Sequence, residues 1–315
     1  MRTIKRRVIQ IAESTQLISL PRKWAQKYNI KKGDELDIDE QGSKIVISTD
    51  KPKEVGYKEV NITDLDRDSL MYLIRFLYIK GYEEVKLIFD KVVVEHYRTG
   101  TKVKINDAIS YEVNRLSGFE IIQQKDNYYI IKSIGESSIK DFDVVLRRIF
   151  LLLLDAFNDI MNNSNNEIMH ITDILQEKHN IITKFICANL RLLNRVGYNE
   201  KNNLILYHIL YGIDNLIDIL KEISKDLSDA GLTLSKVGNE ILQLVNSMLK
   251  DFQRMYFSFD QHLVAEISMK RYTIINTLKK HSKKIEPLEL MVLCKMESIA
   301  FKIMDLSVNR IMMEY

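Results

Sequence analysis

The stretch TQLISLPRKWAQKYNIKKGDEL, residues 15–36, decides the fold of the first part of the chain. Its start, residues 17–20, is an apolar run typical of a strand. Pro21 fits the first turn of a helix, where its missing N–H is not needed. Residues 32–34, Lys-Gly-Asp, mark a turn before another strand. Together with its flanks, this stretch predicts two strands, a short helix and two further strands within residues 1–50.

The charge of the chain reverses inside this first part. Residues 1–32 hold nine Lys and Arg against one acidic residue, whereas residues 33–50 hold six acidic residues against one Lys. A dense positive patch on a small folded unit is typical of a protein that binds a polyanion, and nucleic acid is the commonest such partner. The alternative is a basic face that contacts only solvent. The candidate contacts with double-stranded DNA are Arg6, Arg22 and Lys23, followed by Lys5 and Arg7.

Composition narrows the class of protein. At about 150 residues per domain, a chain of 315 residues is expected to form two or three domains. Three Pro and eleven Gly are few, so long helices should dominate. The longest apolar run, residues 149–154, is too short to cross a membrane, and the N-terminus lacks the apolar segment of a signal peptide. We therefore expect a cytoplasmic protein without membrane insertion.

Nothing in the sequence indicates enzymatic chemistry. The six His form no metal-binding array, and no motif for an activated nucleophile occurs. Cys187 and Cys294 give neither a disulfide framework nor a metal-knuckle spacing, and both fall in helical patterns where we expect buried thiols. We therefore expect a protein that is not an enzyme.

Three regions differ in pattern, so the predicted fold class is multidomain α+β. Residues 1–50 form the small β unit with its short helix. Residues 51–139 open with a linker at 51–53 and form a small α/β module. Residues 140–315 are helical nearly throughout. Because fifty residues bury too little core to be stable alone, the first region predicts a homodimer.

The elements of the middle module follow from apolar periodicity and turn signals. Helices are predicted over 68–79 and 107–116. A strand is predicted over 85–89, and a hairpin joins strands over 119–122 and 128–131.

The helical region predicts long antiparallel bundles, with breaks that include residues 162–166 and 197–201. Six helices divide naturally into two groups of three. They are expected over 140–163, 166–197, 200–228, 231–257, 260–282 and 286–314.

The first region resembles the SpoVT/AbrB family of swapped-hairpin DNA-binding domains. The matching residues are STQLISLPRKW at 14–24 and YNIKKGDEL at 28–36. The resemblance implies that two chains interleave their hairpins into one β-barrel. It also implies that basic residues of the first strand and near the short helix face DNA, here Arg6, Arg22, Lys23, Lys5 and Arg7.

The third region resembles the PhoU family of phosphate-uptake regulators. That family has a pair of three-helix bundles, and the last helix of each carries a motif like Glu-Arg-Ile-Gly-Asp-His-Ala-x-Asn-Ile. Here DNLIDILKEI at 214–223 and ESIAFKIMDL at 297–306 align with it. The two copies fall in the third and sixth predicted helices. The whole chain resembles archaeal phosphate-uptake regulators with this fused arrangement.

The first copy of this motif contains three acids that are candidate metal ligands. Asp214, Asp218 and Glu222 are spaced at i, i+4 and i+8, so they share one helical face. Such a set repels itself unless its members are solvated, paired with bases or bound to a cation. The resemblance implies the last, because the PhoU family binds iron, zinc or manganese ions at the corresponding positions.

The second copy departs from the family's pattern. Phe301 stands where the family has an Asp, and a Phe cannot ligate a metal. This copy therefore offers only Glu297 and Asp305 as ligands.

The predicted function is a DNA-binding transcriptional regulator of phosphate uptake, in which the helical region senses or relays phosphate status. Two alternatives stay open. The chain could be an adaptor that controls a phosphate transporter or a signalling kinase by protein contact. It could also be an antitoxin-like DNA-binding protein, since swapped-hairpin domains recur in antitoxins, although those usually add only a short toxin-binding tail.

Overall fold

The computed structural model describes residues 5–11, 15–42, 44–49, 55–135, 141–163, 168–195 and 202–315. The chain divides into two compact units, residues 1–53 and 54–315. The predicted linker at 51–53, the predicted helix break at 197–201 and most of the break at 162–166 lie outside the described residues. None of the described helices is long and apolar enough to cross a membrane.

The described residues of the first unit form two antiparallel strand pairs and one short helix. Strand β1 (Ile9–Ile11) pairs with β2 (Thr15–Leu17), with Ile9 opposite Leu17. Helix α1 (Arg22–Lys27) follows Pro21, as predicted. Strand β3 (Asp37–Gln41) then pairs with β4 (Lys44–Ser48). The predicted order of strands around a short helix is confirmed.

The described part of this unit has no hydrophobic core of its own. None of its described side chains is buried. Ile9 and Leu17, which face each other across β1 and β2, are 58% and 46% exposed, and Ile38 and Ile45 are exposed as well. A group of exposed apolar side chains on one small unit is typical of a surface that another molecule covers.

The second unit begins with a small α/β module. Its sheet has the order β5-β6-β10-β9, in which β5 and β6 are parallel and the other pairs are antiparallel. Helices α2 and α3 pack on each other, α2 on β6 and α3 on β9. The bounds are β5 (Val55–Asn61), α2 (Arg67–Ile79), β6 (Tyr82–Ile88), β7 (Val93–His96), β8 (Thr101–Lys104), α3 (Ile105–Val113), β9 (Phe119–Lys125) and β10 (Tyr128–Ser133).

Helix α2 shows why these residues form this element. The side chain of Asp66 caps its N-terminus by accepting a hydrogen bond from the amide of Asp68. Leu70, Ile74 and Leu77 recur at helical spacing, and their side chains are buried in the hydrophobic core. Gly81, at φ +97°, ends the helix in a conformation that other residues rarely adopt.

Among the described residues, six long helices follow the α/β module in the second unit, as predicted. Helices α4, α5 and α6 pack on one another, and so do α7, α8 and α9; contacts of α6 with α9 and of α4 with α7 join the two groups. The bounds are α4 (Phe142–Asn163), α5 (Ile168–Arg195), α6 (Asn203–Ala230), α7 (Lys236–Phe257), α8 (Gln261–His281) and α9 (Pro287–Glu314).

The two groups of helices approach each other closely at Gly212 on α6. A Cβ atom at this position would lie 2.5 Å from Cδ2 of Leu306 on α9.

Both cysteines lie on helices, but only Cys187 is buried, and burial raises the pKa of its thiol to about 12. Cys294 is exposed, so the prediction of two buried thiols is wrong for it.

Side chains of α5 fasten the α/β module to the helices. The guanidinium of Arg191 donates hydrogen bonds to the carbonyl oxygens of Tyr78 and Tyr82, and Asn194 Nδ2 donates to the carbonyl of Ile79 over 3.0 Å. These are carbonyls at and just beyond the end of α2, which no partner within the helix can satisfy. Burial lowers the pKa of Arg191 to about 10. The module and the bundles therefore form one unit.

Candidate nucleic-acid interface

The five basic side chains proposed as DNA contacts are all exposed. Lys5, Arg6 and Arg7 precede β1 and lie outside regular secondary structure, so their expected place in the first strand is wrong, while Arg22 and Lys23 occupy the first turn of α1. Within the described residues, none of the five side chains forms a salt bridge or a hydrogen bond. Their charges are therefore free to meet an external polyanion.

Helix α1 is held by aromatic contacts on a different set of residues. The rings of Trp24 and Tyr28 lie 5.6 Å apart between centroids, which confirms that they share a helical face. The ammonium of Lys27 lies 5.6 Å from the centroid of the Tyr28 ring. Trp24 and Tyr28 are half-buried, whereas Arg22 and Lys23 at the start of the helix are exposed.

A tight turn separates the basic part from the acidic strand. The amide of Lys31 donates a hydrogen bond of 2.9 Å to Oδ2 of Asp34, and Gly33 has φ +96°. The turn leads into β3, where Asp37 and Glu40 are exposed. The charge reversal of the sequence thus coincides with a turn, so basic and acidic side chains belong to different elements.

The three acids of the first helical motif do not converge. Oδ1 of Asp214 accepts a hydrogen bond of 2.8 Å from the hydroxyl of Thr183 on α5. Oδ1 of Asp218 lies 2.9 Å from Nε2 of His179 and 3.2 Å from Nζ of Lys221. The third acid, Glu222, has a different partner: its carboxylate pairs with Lys295 on α9 over 3.3 Å.

The different surroundings of the first two acids shift their pKa values in opposite directions. Burial raises the pKa of Asp214, and the neighbouring charge of Asp218 raises it further. Burial also opposes ionisation of Asp218, but the hydrogen bond from His179 and the charge of Lys221 outweigh it and lower the pKa of Asp218 to about 2. Asp218 is therefore an ionised, paired carboxylate.

The second helical motif offers fewer ligands. Phe301 lies beneath the guanidinium of Arg271, with 4.3 Å between Cζ and the ring centroid, and Asp305 is exposed. Glu297 is half-buried on α9. Among the described residues, no group of three or more His, Cys, Asp or Glu could hold a metal ion. The two metal sites stay predictions without support from this arrangement.

His179 is a partner that the sequence did not reveal. It is 6% exposed and lies one helix away from Asp218, separated from it by nearly forty positions in the chain. Our expectation for every His was a structural or surface role, because none belongs to a short motif. Only the packing of α5 on α6 brings this imidazole to the carboxylate.

Comparison with known proteins supports the class of domain that was predicted for the first region of the chain. Residues 9–56 match the family described as antidote-toxin recognition MazE, bacterial antitoxin. No curated protein and no solved structure matches the chain. The N-terminal segment is therefore a MazE/AbrB-like domain, which fits a DNA-binding regulator or an antitoxin-like protein. The likeness of the helical region to the PhoU family stays a prediction.

Proposed function

We propose that this protein is a non-enzymatic, cytoplasmic transcriptional regulator that binds double-stranded DNA as a homodimer. The N-terminal domain supplies the DNA contacts and the dimer interface, and the second unit carries the regulatory input. The observation that carries the proposal is the MazE/AbrB-like match at residues 9–56, a segment that contains Arg22 and Lys23, whose side chains are exposed and form no salt bridge or hydrogen bond among the described residues.

Arg6, Arg22 and Lys23 are the main proposed DNA contacts, with Lys5 and Arg7 as secondary ones. An Arg can bridge a guanine edge or a phosphate with two parallel hydrogen bonds, whereas a Lys acts as a point charge. The acidic side chains of β3 belong to the acidic segment, residues 33–50, which follows the basic one. They repel phosphate and therefore restrict which side of the domain approaches DNA.

The exposed apolar side chains of the first unit support dimerisation through this domain. Ile9 and Leu17 are neighbours on one face of the β1–β2 pair, and both are largely uncovered within a single chain. A second copy that interleaves its hairpins, as in the swapped-hairpin β-barrel, would bury them. Burial of apolar surface of this kind stabilises by about 25 cal/mol per Å².

The proposed regulatory input is phosphate status. This part of the proposal rests on the two motif copies at 214–223 and 297–306, which lie on α6 and α9, the third helix of each group of three. Phosphate transporters or their signalling proteins are the proposed further partners. Promoter occupancy in cells grown with excess phosphate and under phosphate limitation tests this input, and equal occupancy in both conditions would contradict it.

DNA binding is tested by gel-shift titration of the full-length protein with promoter fragments. Because the contacts release counterions, log K should fall linearly with log salt, and Arg22→Ala or Arg6→Ala should each reduce the slope by about one. The matched control is Lys250→Ala, which removes the same charge from an exposed position on α7. Unchanged affinity and slope in both Arg variants would refute these contacts.

An antitoxin role is the second candidate, because the matching family is described as a bacterial antitoxin. In that case a neighbouring gene should encode a toxin whose growth arrest is relieved by this protein. Co-expression of the neighbour with and without this chain separates the two candidates. If chromatin immunoprecipitation finds no promoter enrichment and no toxin is neutralised, an adaptor that acts by protein contact is favoured instead.

A further inference from the structure

A polar cavity of about 210 Å³ lies in the second unit where the α/β module meets the helical bundle. Its walls come from α2, α3 and the β7–β8 hairpin on one side and from α5 and α6 on the other. It has no part in the DNA contacts or in the proposed metal sites, except that Asp218 forms part of its wall.

Cationic groups dominate this cavity. Its wall carries two carboxylates, Asp68 and Asp218, and Glu112 lies directly behind two of the guanidinium groups. Cations therefore outnumber carboxylates by five to three, before any histidine is counted. The five cationic side chains are Arg67, Arg75, Arg98, Arg115 and Lys221.

The carboxylates hold the guanidinium groups in place rather than neutralising them. Glu112, which is 1% exposed, accepts from Arg75 Nε over 2.8 Å and from Arg115 Nη1 over 3.2 Å. Oδ1 of Asp68 likewise pairs with Nη1 of Arg67 over 2.6 Å, and Oδ2 of Asp68 lies 3.8 Å from Nη2 of Arg98. Because each of these two carboxylates is shared between two guanidinium groups, the cavity wall keeps a net positive charge.

Two side chains in the cavity wall have buried nitrogen atoms that lack a hydrogen-bond partner among the described residues. The side chain of Arg115 is nine-tenths buried, and its Nε and Nη2 are both unsatisfied. Nε2 of His96 is also unsatisfied, since its nearest acid oxygen, Oδ1 of Asp68, is 4.0 Å away. A buried guanidinium whose donors are not all satisfied is costly, so an anion placed beside Arg115 would be favoured.

Aromatic rings preset the orientation of the same guanidinium groups. The ring of Tyr111 lies between Arg67 and Arg115, whose Cζ atoms are 5.5 Å and 5.4 Å from its centroid. The guanidinium of Arg75 lies 5.7 Å from the ring of Tyr72. Groups that are already ordered lose less conformational entropy when they bind.

We propose that this cavity binds a phosphate group, carried either by inorganic phosphate or by a small phosphorylated metabolite. Guanidinium forks match the spacing of phosphate oxygens, and several of them can contact one tetrahedral group at once. The guanidinium groups in the cavity wall, those of Arg67, Arg75, Arg98 and Arg115, are the proposed contacts, and Lys221 approaches from α6. A ligand held in this way bridges the α/β module and the bundle.

The test is isothermal titration calorimetry on the full-length protein in phosphate-free buffer. Inorganic phosphate and ribose 5-phosphate are the two probes, so the tighter one identifies the source of the group. Binding of at least one is expected, with Arg115→Met and, separately, Lys221→Met weakening it by about tenfold or more, the loss typical of a charge-assisted hydrogen bond.

The matched control is Lys102→Met, which removes an exposed cation from β8 outside the cavity and should leave affinity unchanged. If Arg115→Met does not fold, Lys221→Met, at the half-buried edge, keeps the test decisive. The proposal is overturned if neither probe binds the wild-type protein, or if both cavity variants bind with wild-type affinity. The readout does not involve DNA, so loss of the proposed regulatory function would leave it standing.

Discussion

The hydroxyl of Thr183 on α5 donates a hydrogen bond of 2.8 Å to Oδ1 of Asp214 on α6. Thr183 is 2% exposed, and burial raises the pKa of its acceptor, with a further contribution from the charge of Asp218. The folded state therefore retains a proton on Asp214 at a pH where the unfolded chain has lost it. An acid placed in this way makes stability depend on pH.

Asp214→Asn is expected to stabilise the protein at neutral pH and not at low pH. For an acid with a raised folded pKa, the stabilising proton is fully present below the unfolded value of about 3.9 and is lost as pH rises through the folded pKa. Asn keeps an acceptor for Thr183 without the cost of a charge. A melting-temperature rise of about 2–4 °C is expected, the shift that 1 kcal/mol gives in a domain of this size.

The control for this comparison is Asp305→Asn on α9, which removes the same charge from an exposed position. Its melting temperature should follow that of the wild type across the pH range. Melting curves recorded by circular dichroism between about pH 4 and pH 8 measure both variants. A gain in Asp214→Asn that is equally large at the lowest pH would contradict the assigned cause.

Arg191→Ala is expected to destabilise the second unit by about 2–4 kcal/mol. The change leaves the carbonyl groups of Tyr78 and Tyr82 without their donor in a buried place. Denaturant unfolding measures the loss. Lys102→Ala, which breaks an exposed pair with Glu95, should change stability by less than about 0.5 kcal/mol, and an equal effect of both variants would exclude a docking role for Arg191.

Gly212→Ala is expected to destabilise the contact between α6 and α9. Alanine improves helix propensity by about 1 kcal/mol, but overpacking against buried Leu306 costs about 1–3 kcal/mol. Gly56→Ala in β5 is the control, since an added Cβ there meets nothing within 4 Å. Thermal melts should show a lower transition for Gly212→Ala alone, and a higher one would mean that Leu306 gives way without cost.

Ile9→Asp is expected to convert the proposed homodimer into a monomer. The new charge would lie beside Leu17 on the exposed apolar face of the β1–β2 pair. A buried, unpaired carboxylate is far more costly than an exposed one, so association should weaken by at least about a hundredfold. Sedimentation of the full-length protein measures this, with Gln16→Asp on the other face of β2 as the control. A dimer that persists in Ile9→Asp would place the interface elsewhere.

The long periodic elements were predictable from the sequence because they bury one regular face. Helix α2 was expected over 68–79 and spans Arg67–Ile79, and α9 was expected over 286–314 and spans Pro287–Glu314. Strands β5, β7 and β8 were missed. Strands β7 and β8 are each only four residues long and largely exposed, which leaves little apolar alternation to recognise.

The two candidate sites also differ in how far the sequence alone could predict them. The exposed basic cluster at Arg22 and Lys23 depends on residues that are adjacent in sequence, so its charge could be counted directly. The cavity depends on side chains such as His96, Arg115 and Lys221, which belong to three different elements. No spacing rule connects them, and their convergence follows only from the packing of the module on the bundle.

The docking of Arg191 onto α2 also has a consequence for synthesis of the chain. Arg191 follows Tyr78 by 113 residues, so a ribosome working at about 5–20 residues per second delivers it roughly 6–23 s later. During that interval the carbonyl groups of Tyr78 and Ile79 lack their partners on α5, and Tyr78 has only the amide of Gly81 as a donor within the module. The module therefore reaches its final form only after α5 has emerged, and a polypeptide that stops before α5 leaves it unfinished.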